Sequence, residues 1–159
     1  MEEEFLTELP DLWCQEGDLQ SLIQAIANGL DINWKSKHGH TLLQIAGSYN
    51  QLEIIEFLLE KGADTTGAVF YAVRNGYGMA VRMLLMHGVK VNEPDAESPF
   101  NTPLIYAAAC RQEHIADILL KAGADRTYRN ANGQTAADWA RMAGSQGLAE
   151  KLRPQPEND

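Results

Sequence analysis

Residues 102–125 read TPLIYAAACRQEHIADILLKAGAD, and residues 41–64 read TLLQIAGSYNQLEIIEFLLEKGAD. Both open on Thr, run through two apolar stripes and close on Gly-Ala-Asp. In the later stretch Leu104, Ala107 and Ala108 form the first stripe, and Ile115, Ile118, Leu119 and Leu120 the second. In the earlier one Leu43, Ile45 and Ala46 come first, Asn50-Gln51 interrupts, and Leu52, Ile55, Leu58 and Leu59 follow. This spacing predicts two short helices. Gly62 and Gly123 stand where a helix C-terminus favours a residue that tolerates a left-handed backbone.

The same landmarks recur outward from these stretches. Glycines after an apolar run fall at Gly29, Gly62, Gly88 and Gly123, in steps of 33, 26 and 35. Ala46, Ala72, Ala107 and Ala140 give 26, 35 and 33, and the leucine pairs at Leu58, Leu84 and Leu119 give 26 and 35. Unrelated residue types therefore share one offset series. The unit is about 33 residues, with one copy shortened and the next slightly lengthened. Helices this short cannot bury their apolar faces alone, so each pair must stack on its neighbours in an all-α solenoid.

The pattern resembles the ankyrin-repeat family. Thr102-Pro103-Leu104, Ala107-Ala108, Leu119-Leu120 and Gly123-Ala124-Asp125 carry the likeness most fully. Gly39-His40-Thr41 with Gly62-Ala63-Asp64, and Asn132-Gly133-Gln134-Thr135 with Ala140, add to it. The resemblance implies stacked helix-turn-helix units with β-hairpin-like finger loops. It implies one domain over residues 1–159, with repeats near 5–36, 37–66, 67–98, 99–131 and 132–153, and a flexible tail at 154–159. The family's Thr-Pro-Leu-His tetrapeptide is nowhere complete. Its His is replaced by Gln44, Phe70, Ile105 and Asp138. Gln44 and Asp138 can substitute in part as hydrogen-bonding groups, whereas Phe70 and Ile105 cannot, so a stack of modest stability is expected. Trp13 stands where a small Ala is usual, in a terminal repeat expected to be atypical.

From Gly29 to Thr41, and again from Gly123 to Thr135, there is room for a hairpin finger. After Gly62 the next helix must begin near Gly67-Ala68, which leaves Asp64-Thr65-Thr66 only a tight turn. A finger is therefore expected to be missing there, either as loop drift or as a notch that admits a partner's protrusion. The next finger, Val89 to Asn101, is longer and carries Glu93, Pro94, Asp95, Glu97 and Pro99.

The chain has 159 residues, 45% hydrophobic and 22% charged, enough for one sizeable core. Its net charge of −9 disfavours nucleic acid or an anionic membrane as partner. Residues 1–34 carry Glu2, Glu3, Glu4, Glu8, Asp11, Glu16, Asp18 and Asp31 and neither Lys nor Arg. The remainder holds 14 acids against 13 bases, so the negative charge is concentrated at one end, as a solubilising cap or a docking surface. The acidic start does not read as a signal peptide, and no apolar run is long enough to span a bilayer. A cytoplasmic protein is expected.

No pattern for chemistry is found. His38, His40, His87 and His114 lack acids or thiols at ligand spacing, and a transition-metal site needs three or four converging ligands. No nucleophile elbow, phosphate-cradling glycine loop or His-Glu-x-x-His appears. The expectation is therefore no enzyme, no cofactor and no metal. Cys14 and Cys110 lie three repeats apart and are expected to be free thiols.

Function is then expected from surface shape. The resemblance implies that the two positions after each alanine pair line a protein-binding groove. They are Gln15 and Glu16, Ser48 and Tyr49, Arg74 and Asn75, Ala109 and Cys110, Arg141 and Met142. Finger residues Trp34, Lys35, Lys37, His38, Phe100, Tyr128 and Arg129 extend it. Trp, Tyr and Arg are the types enriched at binding hot spots. Candidate partner-binding residues are thus Trp34, Lys37, Tyr49, Arg74, Phe100, Tyr128, Arg129 and Arg141. The expected protein is a monomeric binder of a protein partner. It acts either as an inhibitor or sequestering protein, immunity- or antitoxin-like, of a basic partner, or as a scaffold or host-directed effector that recruits cellular proteins.

Overall fold

A computed structural model describes residues 9–94, 98, 100 and 102–154. These form two compact units, one ending at Lys90 and the other beginning at Val91. The first contains α1 (Leu9–Glu16), α2 (Leu19–Ala27), α3 (Leu42–Ser48), α4 (Leu52–Glu60), α5 (Ala68–Arg74) and α6 (Gly78–Met86). The second contains α7 (Pro103–Ala109), α8 (Glu113–Lys121), α9 (Ala136–Met142) and α10 (Gln146–Lys151). Among the described residues the fold is all helical. The sole β feature there is an antiparallel bridge between Lys35 and Thr41.

In the first unit α1, α3 and α5 pack successively, each also against its own second helix, and α4 packs on α6. Leu22, Leu42, Leu43, Ile54, Ile55, Leu58 and Leu84 are fully buried between these layers. In the second unit α7 packs on α8 and α9, and α9 on α10, over buried Leu104, Ile105, Leu119, Leu148 and Leu152.

Local chemistry sets the helix ends. Thr41 caps α3 in a reciprocal box: the Gln44 backbone N–H donates to Thr41 Oγ1, and the Thr41 N–H donates to Gln44 Oε1 at 3.0 Å. Thr135 and Asp138 build the same box on α9. Gln44 and Asp138 thus each return a hydrogen bond to the capping threonine's backbone. Thr102 caps α7 through its hydroxyl alone, because Ile105 has nothing to return. Each second helix of the first four repeats ends as expected, on a left-handed Gly29, Gly62, Gly88 or Gly123. The next residue's N–H then closes on the carbonyl five positions nearer the N-terminus, as in Ala63 to Leu58 at 3.0 Å.

A second left-handed position recurs at every turn between paired helices. It is held by Gly17, Asn50, Gly76, Arg111 and Gly144. Their spacing of 33, 26, 35 and 33 repeats the landmark series. Gly17 is needed twice over, since a Cβ there would also stand 2.6 Å from Gln51 Oε1. Gln51 fills that space because its Nε2 donates to the Gln15 carbonyl at 2.6 Å, tying the second repeat to the first.

Candidate protein-binding face

The fingers are built from backbone turns pinned by short polar side chains. In the first, the Ser36 N–H donates to the His40 carbonyl at 2.9 Å, and Ser36 Oγ accepts from the His38 and His40 N–H groups. Trp34 is half-buried beside this turn, with its N–H on the Asp31 carbonyl, while Lys37 and His38 are exposed. His40 lies edge-on to Tyr71 of α5 at 5.0 Å, which holds the finger over the first helices. The finger of the last repeat is organised by buried Asn130, whose Oδ1 accepts from Asn132 and Gln134. Tyr128 is half-buried there, and Arg129 Nη1 donates to the Gly133 carbonyl at 2.7 Å.

Between α4 and α5 there is only a turn. Asp64 Oδ1 accepts from the Thr66 N–H and hydroxyl, Ala68 N–H reaches the Thr65 carbonyl, and left-handed Gly67 opens α5. Gln44 Nε2 donates to the Thr66 carbonyl at 2.8 Å and fastens the short connection to α3. Of the longer finger after Val89, Asp95, Glu97 and Pro99 lie outside the described residues.

The expected groove positions fall at the C-terminal ends of the first helices. In the first unit, Tyr49 caps α3 and is 48% exposed. Exposed Arg74 ends α5, which packs on α3, so these two candidates stand on adjoining helix ends. Asn75 next to it donates to the Tyr71 carbonyl. In the second unit, Arg141 lies in the last turn of α9 and pairs with Asp138 at 3.0 Å, beside exposed Met142. Cys110, the cap of the adjoining α7, is exposed.

Phe100 is held differently from a free finger tip. Its ring meets Tyr106 at 5.0 Å and Trp139 at 4.9 Å, both edge-on. Tyr71, Tyr106 and Trp139 occupy one repeat position, one residue after the Phe70, Ile105 and Asp138 series, and all three are half-buried. Sequence reasoning passed over them as face residues. The signal was present in their spacing of 35 and 33.

Electrostatics on this face are local. Asp64 is held below the usual carboxylate range by the Thr66 backbone and hydroxyl donors, with Lys35 adding to the effect. Asp138 is lowered by the Thr135 N–H and hydroxyl and then by Arg141. Of the acidic N-terminal segment, Glu16, Asp18 and Asp31 are exposed, whereas Glu2, Glu3, Glu4 and Glu8 lie outside the described residues. Buried Cys14 is driven the other way, its thiol pushed up to about 12 by burial and then by the Asp11 charge. Both cysteines are unpaired. Among the described residues no group of three or more His, Cys, Asp or Glu side chains converges as metal ligands do. No helix there is long and apolar enough to cross a membrane.

A repeating helix pair, a finger pinned over it and exposed side chains on helix ends describe a repeat protein that works by surface contact. A family model for ankyrin repeats in three copies matches residues 12–95, and one for a single ankyrin repeat matches residues 100–131. The chain belongs to the ankyrin-repeat family, whose repeats are protein-interaction modules. It is 33% identical over 125 residues to the E3 ubiquitin-protein ligase Ufd4 of Drosophila melanogaster, covering 78% of this chain and 4% of that one. It is 32% identical over 122 residues to the ankyrin repeat domain-containing protein SAT10 of Stachybotrys chartarum, covering 71% and 6%. Human diacylglycerol kinase iota is 29% identical over 124 residues, covering 74% and 12%. The chain thus spans a small fraction of the length of each of these relatives.

Proposed function

We propose that this protein is a non-catalytic module that holds a protein partner on its first-helix ends and fingers, and that it acts by occupying that partner's surface. Tyr49 and Arg74 carry the reading. They are hot-spot residue types, exposed on the ends of two helices that pack together, where the fold itself demands neither an aromatic ring nor a guanidinium. Trp34, Lys37, Tyr128, Arg129 and Arg141 extend the contact, and Phe100 supports it through the Tyr106–Trp139 cluster. The net charge of −9 supports a basic partner, and so an inhibitor or sequestering role of the immunity or antitoxin kind. We place the protein in the cytoplasm as a monomer that binds neither nucleic acid nor membrane.

A second reading, a scaffold that recruits cellular proteins, is favoured by the relatives, in which the matching segment is a small part of a long chain.

Affinity purification from the native source, followed by binding measurements with Tyr49→Ala, Arg74→Ala and Tyr128→Ala, tests the proposal. Each substitution should weaken binding about tenfold or more. An unchanged dissociation constant in the folded triple variant would end it. Steep loss of affinity with salt, together with inhibition of a basic enzyme, supports the first role. A salt-insensitive complex centred on Trp34 and Tyr128 supports the second.

A further inference from the structure

The second helices of the second and third repeats, α4 and α6, pack on each other and correspond residue by residue at an offset of 26. Buried Ile54, Ile55 and Leu58 match buried Ala80, Val81 and Leu84. At the solvent-facing positions the two helices diverge. There α4 carries Glu53, Glu56 and Glu60, whereas α6 carries Met79, Arg82 and Met86. Met79 is 59% exposed and Met86 85% exposed. Half-buried Met83 lies between them on the same face, since positions three and four apart adjoin on a helix. On α8 the equivalent positions hold His114, Asp117 and Lys121, the polar side chains a solvated face calls for.

Three of the chain's five methionines therefore form one row on one short helix, exposed at Met79 and Met86 and half-buried at Met83. Methionine has a flexible, polarisable side chain that moulds itself to an apolar surface. Glu53, Glu56 and Glu60 form no ion pair among the described residues. Two cations stand close by. Lys61 lies over the Phe57 ring at 5.8 Å, and Arg82 sits within the methionine row.

We infer that α4 and α6 form a second docking surface, whose occupant is a basic amphipathic helix of a partner protein. Its apolar stripe lies along Met79, Met83 and Met86, and its Lys or Arg side chains reach Glu53, Glu56 and Glu60. Packed helix axes stand about 8–10 Å apart, which a long basic side chain on a helix seated over α6 can span. Charge selects the partner. An acidic helix would set carboxylates against the glutamate row, and a second copy of this chain would bring the same row and a net charge of −9 against it. The surface uses none of the finger or first-helix residues of the proposed function and stands or falls apart from it.

The test uses the full-length protein with isotope-labelled methionine methyl groups. It is titrated at about 0.15 M salt with a synthetic Leu/Lys amphipathic helix peptide, and separately with the same peptide carrying Glu for Lys. The Leu/Lys peptide should shift the Met79, Met83 and Met86 signals and leave Met142 in place. Met79→Gln/Met86→Gln and Glu53→Gln/Glu56→Gln/Glu60→Gln, each confirmed folded by circular dichroism, should each bind it about tenfold more weakly. Equal binding of the Glu peptide overturns the inference. So do equal shifts at Met142, unchanged affinity in either variant, or methionine shifts that follow protein concentration without peptide.

Discussion

The Asn33 side-chain oxygen accepts a hydrogen bond from the Asp64 backbone N–H at 2.7 Å, although the two residues lie in successive repeats. Asn92 repeats the contact on Asp125 at 2.9 Å, and its Nδ2 also donates to the Gly123 carbonyl. Each aspartate then accepts from a threonine two residues on, Thr66 or Thr127. The loops of neighbouring repeats are thus stapled by polar groups. Replacing Asn92 with Ala removes two of these bonds and should cost about 1–2 kcal/mol, read from urea unfolding. Asn33→Ala, with one bond lost, should cost less.

Acid should unfold the protein through a defined set of carboxyls. Asp18 is held low by the Ser21 hydroxyl and N–H, Asp125 by the Thr127 hydroxyl and N–H, and Asp64 and Asp138 by the donors already described. A carboxyl whose folded pKa lies below its unfolded value of about 4 contributes stability above that pH and loses it as pH falls through the folded value. The melting temperature should therefore hold level from neutral pH to about 5 and drop below about 4. The Asp64→Asn/Asp125→Asn variant should show a shallower acid limb. An identical limb would remove these aspartates from the account.

Two of the five left-handed inter-helix turns are made without glycine, at Asn50 and Arg111, both with φ 57°. The left-handed region costs an L-residue about 1–2 kcal/mol. Asn50 Oδ1 is also buried without a hydrogen-bond partner. Asn50→Gly and Arg111→Gly should therefore each stabilise the protein by up to about 1 kcal/mol, measured by denaturant midpoint. Gly17→Ala should do the reverse, because φ of 81° strains an alanine and its Cβ would push the Gln51 amide from its place.

The thiols should separate by rate. Exposed Cys110 should react at once with a thiol reagent, and Cys14, buried and with its thiol pushed up to about 12, only on unfolding. The unfolded chain should titrate two thiols, and fewer would contradict the free state of both cysteines.

Inserting seven residues after Asp64, enough to restore a finger, tests the notch. If the missing finger admits part of the partner, the folded variant should lose affinity. Unchanged affinity assigns the short turn to loop drift alone.

The repeat is legible in the order of the residues alone. Glycine, alanine and leucine landmarks share one offset series because each answers a demand that recurs once per repeat: a left-handed helix end, a close helix approach, a buried seam. That order also determined the short turn at Asp64–Thr66 and the split between Gln44 and Asp138, which can cap, and Ile105, which cannot. What it left open depends on which side chains meet across repeats. That Phe100 lodges against Trp139, that His40 leans on Tyr71, and that Gln51 fills the space beside Gly17 are decided by packing between segments tens of residues apart. Arg111 in a left-handed turn was likewise illegible, because its own preference runs against that conformation and only the helices on either side impose it. Periodicity reports demands that recur in every repeat, whereas a contact made at one place in the stack is settled only by the side chains packed around it.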